Sequence, residues 1–417
     1  MSRRVANSRL PAPGRDFFGL SKESAIAQSG VRAVFTPHQP ISSMELLFGR
    51  QEEVSKLVET LNTPGQHVLL YGERGVGKSS LANVVSEVLL HAVQPAIFVK
   101  RCDRSDNFES IIQKPLRAVG ADHLLQQVSS SRAISNKDSL KLGFAEIGNE
   151  ESQDLVHTYT VSNVISPSTA AESLHELDGL LVVDEFDAIA SDEDRSKVAE
   201  LIKHLSDSGS NLKLMVVGIA ETGDQLTAAH PSVQRCLRET KLRRMGRAEL
   251  EEIVIAGANA LRLRFDTSVV ESIVRLSAGY PHFTHLLALK CAEDAIGEGS
   301  FLIMPHDLSK AMDRAVSDAE GTLKRIYDDS VRAPSPMYRH ILAAAASLDS
   351  DEFSANDVRN AVILRTGEDI SQGSLNNYYK RLISTDGTTI LRRAGRGFYR
   401  FEDPRMRSYI RLIERMV

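Results

Sequence analysis

Gly72-Glu73-Arg74-Gly75-Val76-Gly77-Lys78-Ser79 matches the pattern G-x-x-x-x-G-K-[ST], and its flanks decide how it is read. The apolar run His67-Val68-Leu69-Leu70-Tyr71 predicts a buried strand leading into the glycines, and Ser80 to Leu90 predicts a helix leading out of them. A chance glycine-rich turn would have neither neighbour. In this setting the glycines let backbone N–H groups wrap a polyphosphate, and the helix N-terminus adds its positive end. Lys78 is expected to reach the terminal phosphates, and the Ser79 hydroxyl to ligate Mg2+. Gly72, Glu73, Arg74, Gly75, Val76, Gly77 and Ser80 complete the expected cradle for a nucleoside triphosphate.

Further strands follow. Ala96-Ile97-Phe98-Val99-Lys100, Gly179-Leu180-Leu181-Val182-Val183 and Lys213 to Ile219 are apolar runs, with a helix at Asp194 to Ser206 between the last two. Strand and helix in alternation predict an α/β fold with a parallel sheet covered by helices on both faces. Asp184, at the end of the third strand, is placed to help hold Mg2+; Glu185, beside it, is the residue to polarise an attacking water. The stretch Asn136-Lys137-Asp138-Ser139 misses the N-K-x-D guanine pattern and lies upstream of Asp184, so ATP is the expected nucleotide.

A chain of 417 residues suggests two or three domains. Charged residues at 25% and hydrophobic ones at 42% are ordinary for a globular chain. The net charge of −5 gives no global pull toward nucleic acid, so a basic site must be local. Three widely spaced cysteines fit no metal or disulfide framework and point to a reducing cytoplasm. No apolar run approaches membrane-spanning length, and the arginine-rich start lacks the apolar stretch of a secretory signal.

Residues 1–40, rich in Pro, Ser and Arg, read as a partly ordered arm ahead of a nucleotide-binding core at 41–246. The amphipathic run Glu52 to Leu61 predicts a helix near the start of that core. About residues 124–167 the core carries an insertion, serine-rich and then alternating at Lys141 to Ile147 and Leu155 to Val161, as a β-hairpin would. Residues 247–331 read as helices: Ala248–Arg262, Asp266–Ser277, Pro281–Ile296 and Pro305–Ser330. Residues 332–417 read as helices near Met337–Ser347, Ala355–Thr366 and Gln372–Ser384, then strands Thr389–Arg393 and Gly397–Phe401, which is the winged-helix order.

Phe48-Gly49-Arg50-Gln51-Glu52-Glu53, the phosphate loop, Val182-Val183-Asp184-Glu185, Val216-Val217-Gly218-Ile219 and Gly279-Tyr280-Pro281 together resemble an AAA+ ATPase, over roughly Leu47 to Ile296. The similarity is to the origin-recognition-complex-like group and to the STAND signalling ATPases. It implies that Gly49 and Arg50 help enclose the adenine, that a helical lid follows the sheet, and that a winged helix ends the chain. Departures are visible. Glu221 stands where origin-recognition-like proteins have a sensor asparagine, which makes Thr222 the alternative sensor. The lid sequence Gly279-Tyr280-Pro281-His282 has the Gly-x-Pro form of STAND proteins, with His282 in place of the sensor arginine and Pro281 beside it. Arg235 falls where AAA+ proteins carry the arginine that reaches a neighbouring subunit's nucleotide, which implies a homo-oligomer.

From Lys380 to Val417, ten Lys and Arg face four Asp and Glu, a local balance of +6. Arg392, Arg393 and Arg396 crowd the turn between the last two strands, and the preceding helix offers Gln372, Asn376, Asn377, Tyr379 and Lys380, although Leu375, Tyr378, Tyr379 and Leu382 lie at helical spacing and about half of that set is expected in the core. On a winged helix these residues would meet duplex DNA. The reading is an ATP-hydrolysing AAA+ switch that engages DNA. Its alternative is a STAND-like signalling or defence ATPase whose nucleotide state controls oligomerisation or a protein partner.

Overall fold

The structure is a computed structural model that describes residues 30–42, 44–125, 165–219, 231–318, 321–332, 334–383 and 389–416. The expected N-terminal arm up to residue 29, and residues 126–164 of the expected insertion, lie outside the described residues. The described chain divides into two compact units. One comprises Glu52–Gly72 and Val85–Lys241; the other comprises the residues up to Gln51, Glu73–Val84 and the chain from Leu242 onward.

The first unit holds a five-stranded sheet of β1 (His67–Gly72), β2 (Ala96–Arg101), β3 (Gly179–Asp184), β4 (Leu212–Gly218) and β5 (Leu237–Leu242). Their order is β2-β3-β4-β1-β5. The first four strands run parallel, with Val68 opposite Met215, Met215 opposite Val182, and Val182 opposite Val99. Parallel neighbours need long crossovers, and the helices Phe108–Ala118, Pro167–Leu174 and Asp192–Ser208 occupy them. Every β3 residue is buried, which is why that strand reads as an unbroken apolar run. Leu181, Val183, Leu214 and Val216 of the sheet share one core with Ile111, Leu116, Val198 and Leu205 of the helices.

Local chemistry sets the helix ends. Ser166 accepts the Thr169 N–H ahead of Pro167 in the first helical position. Ser191 caps Asp192–Ser208, which stops at Gly209 with φ +71°. Strand β5 is not legible as an apolar run because Arg238, Glu239 and Lys241 interrupt it; only Leu237 and Leu242 are buried, as suits a charged edge strand.

In the second unit the helices Arg247–Ala260, Thr267–Ser277, Pro281–Gly297 and Pro305–Asp318 pack through Val254, Ile273, Leu286, Leu287 and Ala311. Two short parallel strands, β6 (Arg264–Phe265) and β7 (Leu302–Ile303), join them. Val31, Val34 and Phe35 belong to the same core. Gly257 makes room for Phe35, since a Cβ there would stand 2.4 Å from Phe35 Cε1. The stretch expected as one helix, Pro305–Ser330, is two, the second being Gly321–Val331. A glycine inside a helix is costly, and here Gly321 opens a new one.

The chain then forms helices Met337–Ser347, Ala355–Thr366 and Gln372–Leu382, strands β8 (Phe353–Ser354), β9 (Leu391–Gly395) and β10 (Phe398–Phe401), and a last helix, Met406–Ile413. The strands make a sheet ordered β8-β10-β9 with antiparallel pairing. The expected hairpin is therefore present, starting two residues later in β9 and one later in β10. Met406, Tyr409, Ile410 and Leu412 of the last helix are buried.

Candidate nucleotide site

Strand β1 runs into the phosphate loop at Gly72, and the Lys78–Val93 helix leaves it. Gly75 and Gly77 have φ of +85° and +97°, a region that glycine enters without steric cost. Val76 between them is buried and anchors the turn. Lys78 Nζ donates to the Glu73 carbonyl oxygen at 2.9 Å, across the loop. Ser80 Oγ accepts the Ile41 N–H at 3.1 Å, and Asn83 Nδ2 donates to the Ile41 carbonyl at 3.5 Å. Residues ahead of the first motif are thus tied to the phosphate-loop helix.

Two distant stretches close on the loop. A Cβ built on Gly75 would stand 2.7 Å from Arg405 Cδ and 3.6 Å from Tyr280 Cδ1; one on Gly77 would stand 3.9 Å from Pro281 Cγ. Glu73 Oε2 accepts from Tyr280 Oη at 2.8 Å and from Arg244 Nε at 2.7 Å. The Arg244 guanidinium lies 4.7 Å from the Tyr280 ring centroid, a cation–π contact. Burial pushes the Tyr280 phenol well above its ordinary range, which keeps it the donor to Glu73. Burial works against the charge on Arg244, but Glu73, Tyr280 and Asp351 outweigh it.

The same arginine continues into the C-terminal residues. Arg244 Nη1 pairs with Asp351 Oδ1, which also accepts from Arg407 Nη1 at 3.1 Å. The Arg405 guanidinium donates to Asp403 from Nε at 3.0 Å and Nη2 at 2.7 Å, and the Arg405 backbone N–H donates to the same carboxylate at 3.0 Å. Burial pushes the Asp403 carboxyl up, yet Arg405 and Arg74 together hold it below the usual range. Ser408 Oγ and Arg411 Nη1 donate to the carbonyls of Ser277 and Arg275, at 2.8 and 3.1 Å. These are terminal carbonyls of the Thr267–Ser277 helix, where donors and positive charge are favourable.

Gly49 has φ +69°, and a Cβ there would stand 2.7 Å from Glu249 Cβ. Arg50 is buried; its Nη2 donates to the Arg243 carbonyl at 2.6 Å and its Nη1 lies 3.8 Å from Glu249. The expected adenine-side pair is therefore packed against residues 243–249. His282 Nδ1 donates to the Pro37 carbonyl at 2.7 Å, and His285 Nδ1 accepts the Thr36 N–H at 3.3 Å. Pro281 occupies the first position of its helix, following Ala278 and Gly279 at φ +50° and +90°.

At the end of β3, Asp184 is buried and its Oδ1 accepts the Glu185 N–H at 3.0 Å. Glu185 is exposed and left-handed, with φ +56° and ψ +39°. For a non-glycine residue that conformation costs on the order of 1–3 kcal/mol and collects at functional sites. Arg235 ion-pairs with Asp207 on a side chain that is 64% exposed. Thr222 and Glu221 lie outside the described residues.

On the C-terminal hairpin Arg393 and Arg396 are exposed, and Arg392 lies 3.8 Å from Glu402. Asn376 and Lys380 are exposed on their helix. Tyr379, expected among the DNA-facing residues, is instead core: it is 1% exposed and stacked on Tyr399 at 4.2 Å. It falls on the helix face that carries Leu375 and Leu382 inward.

A phosphate loop after the first strand of a parallel sheet, with a carboxylate pair closing another strand, defines a P-loop nucleoside triphosphatase fold. The chain belongs to the family described as Novel STAND NTPase 1, whose model matches residues 38–292. The STAND side of the resemblance read from the Gly-x-Pro turn agrees with this match. No curated protein matches the chain significantly. Among solved structures it is similar to the Walker-type ATPase of Pyrococcus abyssi, with 19% identity, 91% of this chain and 99% of that one covered, and a TM-score of 0.47. It is also similar to the ORC2 protein of Aeropyrum pernix in ADPNP–ADP complexes, with 14% identity, coverage of 92% and 97%, and a TM-score of 0.48. A third is Cdc6p from Pyrobaculum aerophilum, with 16% identity, coverage of 92% and 98%, and a TM-score of 0.46.

Proposed function

We propose that this protein is a cytoplasmic, ATP-binding and ATP-hydrolysing switch whose nucleotide state is passed to a C-terminal winged helix that engages duplex DNA. The observation that carries it is the chain Glu73–Arg244–Asp351–Arg407, which joins the phosphate loop to the last helix through hydrogen-bonded charges. A γ-phosphate entering the loop changes the charge beside Glu73, and the C-terminal residues are two ion pairs away. In this reading residues 41–246 are the core, 247–331 the lid and 332–417 the winged helix.

Each loop residue has a role in this reading. Gly75 and Gly77 open the backbone to the phosphates, and Lys78 exchanges the Glu73 carbonyl for a phosphate oxygen. Gly49, Arg50, Pro281 and His282 border the nucleoside, with Thr222 as the γ-phosphate sensor. Ser79 and Asp184, a hydroxyl and a carboxylate, are the hard oxygen donors that suit Mg2+, which would supply charge neutralisation on the phosphates. Glu185 orients and deprotonates the attacking water, and Arg235 reaches a neighbouring subunit's nucleotide.

The test is fluorescence anisotropy on duplex DNA with the Glu185→Gln protein in ATP, ADP and no nucleotide. ATP-dependent binding that weakens steeply with salt supports the switch. Absence of binding in every state at low salt rejects the DNA arm. A second reading, a signalling ATPase whose nucleotide state controls self-assembly or a protein partner, is favoured by the STAND family match. It predicts an ATP-dependent rise in mass by light scattering without DNA.

A further inference from the structure

The hairpin of β9 and β10 joins charge to an exposed aromatic ring. Arg392 and Arg400 are direct cross-strand partners, so two guanidinium groups share one face of the ladder. Like charges in that arrangement are unfavourable unless something else meets them. Each has one loose ion pair, Arg392 with Glu402 at 3.8 Å and Arg400 with Glu352 at 3.9 Å, both longer than a hydrogen bond. Arg393 and Arg396 add two exposed cations. Directly after the Arg396–Gly397 turn, Phe398 is 48% exposed, and a register shift follows it before Tyr399. The next residues turn inward: Tyr399 stacks on Tyr379, and Phe401 packs against Phe353. The ring of Phe398 is therefore carried on a rigid base while its own surface faces out.

Exposure alone would mean little, since Leu364 and Phe301 are more exposed. What sets Phe398 apart is its place beside the turn of a hairpin whose strands and turn carry Arg392, Arg393, Arg396 and Arg400. Hydrophobic partners would have to desolvate those guanidiniums, whereas a polyanion with apolar flat faces satisfies both features at once.

We infer that Phe398 is a wedge that enters a base step of duplex DNA while Arg392, Arg396 and Arg400 hold the flanking phosphates. Minor-groove binders insert apolar side chains in this way, unstacking a step and kinking the helix. The inference rests on the DNA-binding reading above and adds the deformation that the bound duplex must undergo.

The experiment uses the full chain with Glu185→Gln, ATP and a short A·T-rich duplex carrying 2-aminopurine, whose fluorescence rises on unstacking. Wild-type Phe398 is expected to raise the signal on binding. Phe398→Ala should abolish the rise and weaken binding about tenfold, with the salt dependence unchanged. Arg400→Ala should flatten the salt dependence instead. Binding by anisotropy without any rise in 2-aminopurine signal overturns the wedge and leaves the DNA reading standing. Failure to bind duplex at all overturns both. Phe398→Leu keeps an apolar side chain and should retain part of the rise, which separates a wedge from a folding defect.

Discussion

Arg244 binds Glu73 through a 2.7 Å bond from Nε to Oε2 while its guanidinium covers the ring of Tyr280, the other donor to that oxygen. One side chain therefore fixes a residue of the phosphate loop, the turn ahead of Pro281 and, through Asp351, the C-terminal residues. Glu73 and Asp351 are partly exposed, so each ion pair is worth little alone. Removing Arg244 takes away both pairs and the ring contact. Arg244→Ala should lower stability by about 2 kcal/mol. Arg244→Lys, which cannot span all three partners, should recover less than half of it. Urea midpoints at constant slope would measure both. An Arg244→Ala protein as stable as its parent would show that the network holds nothing together.

Glu185 sits at φ +56° immediately after Asp184, the carboxylate proposed for Mg2+. Glu185→Gly should be more stable than Glu185→Ala by about 1 kcal/mol, because glycine accepts the left-handed backbone and alanine does not. Both should lose phosphate release from ATP. Thermal midpoints and a phosphate assay suffice. Equal stability of the two variants would mean the backbone relaxes once the carboxylate is gone.

Two buried histidines make the fold acid-sensitive. Burial, helped by Lys213, lowers His67 to about 3, and its Nδ1 accepts the Leu214 N–H at 3.0 Å. Burial, helped by His282, lowers His285 to about 4. Both stay neutral when folded, while the unfolded chain takes up protons below its histidine pKa near 6.5. Their contribution is complete above that pH and is lost as the pH falls toward the folded values. Between pH 7 and pH 5 each should cost about 2 kcal/mol. His67→Asn retains an acceptor without titrating, so its stability should fall less steeply over that interval in urea titrations. A slope identical to the parent's would remove His67 from the account.

Phe35 and Gly257 are fitted to each other, with the ring 1% exposed. Gly257→Ala should destabilise by about 1–3 kcal/mol through overpacking. Phe35→Ala leaves a cavity instead, and the double variant should cost less than the sum of the two. Additive losses would mean that the ring and the helix are not in contact in solution.

The phosphate loop, β3 and β4 were legible because motif and burial coincide there: glycines with a strand before them, and apolar runs closed by Asp184 and Gly218. Strand β5 was not, since its charges mask the two leucines that face inward. Tyr379 shares helical spacing with Leu375 and Leu382, but spacing alone does not say which face is wet, so it also stands among the surface candidates. The links from Arg244 to Glu73 and to Asp351 span 171 and 107 residues. Single charged residues so far apart carry no pattern, and folding alone brings them together. Arg405 gave one weak sign, the turn-forming Asp403-Pro404 before it.

The bonds made by Thr36, Pro37 and Ile41 have a practical meaning for how this protein should be trimmed. They reach His285, His282 and Ser80, on both the phosphate-loop helix and the helix begun by Pro281. A shortened version that starts at the first recognisable motif, Phe48-Gly49-Arg50, would keep every signature of a nucleotide binder and discard all three bonds together with Phe35. Loss of activity in such a fragment would report a missing strap, so a trimmed version should keep Val31 to Ile41.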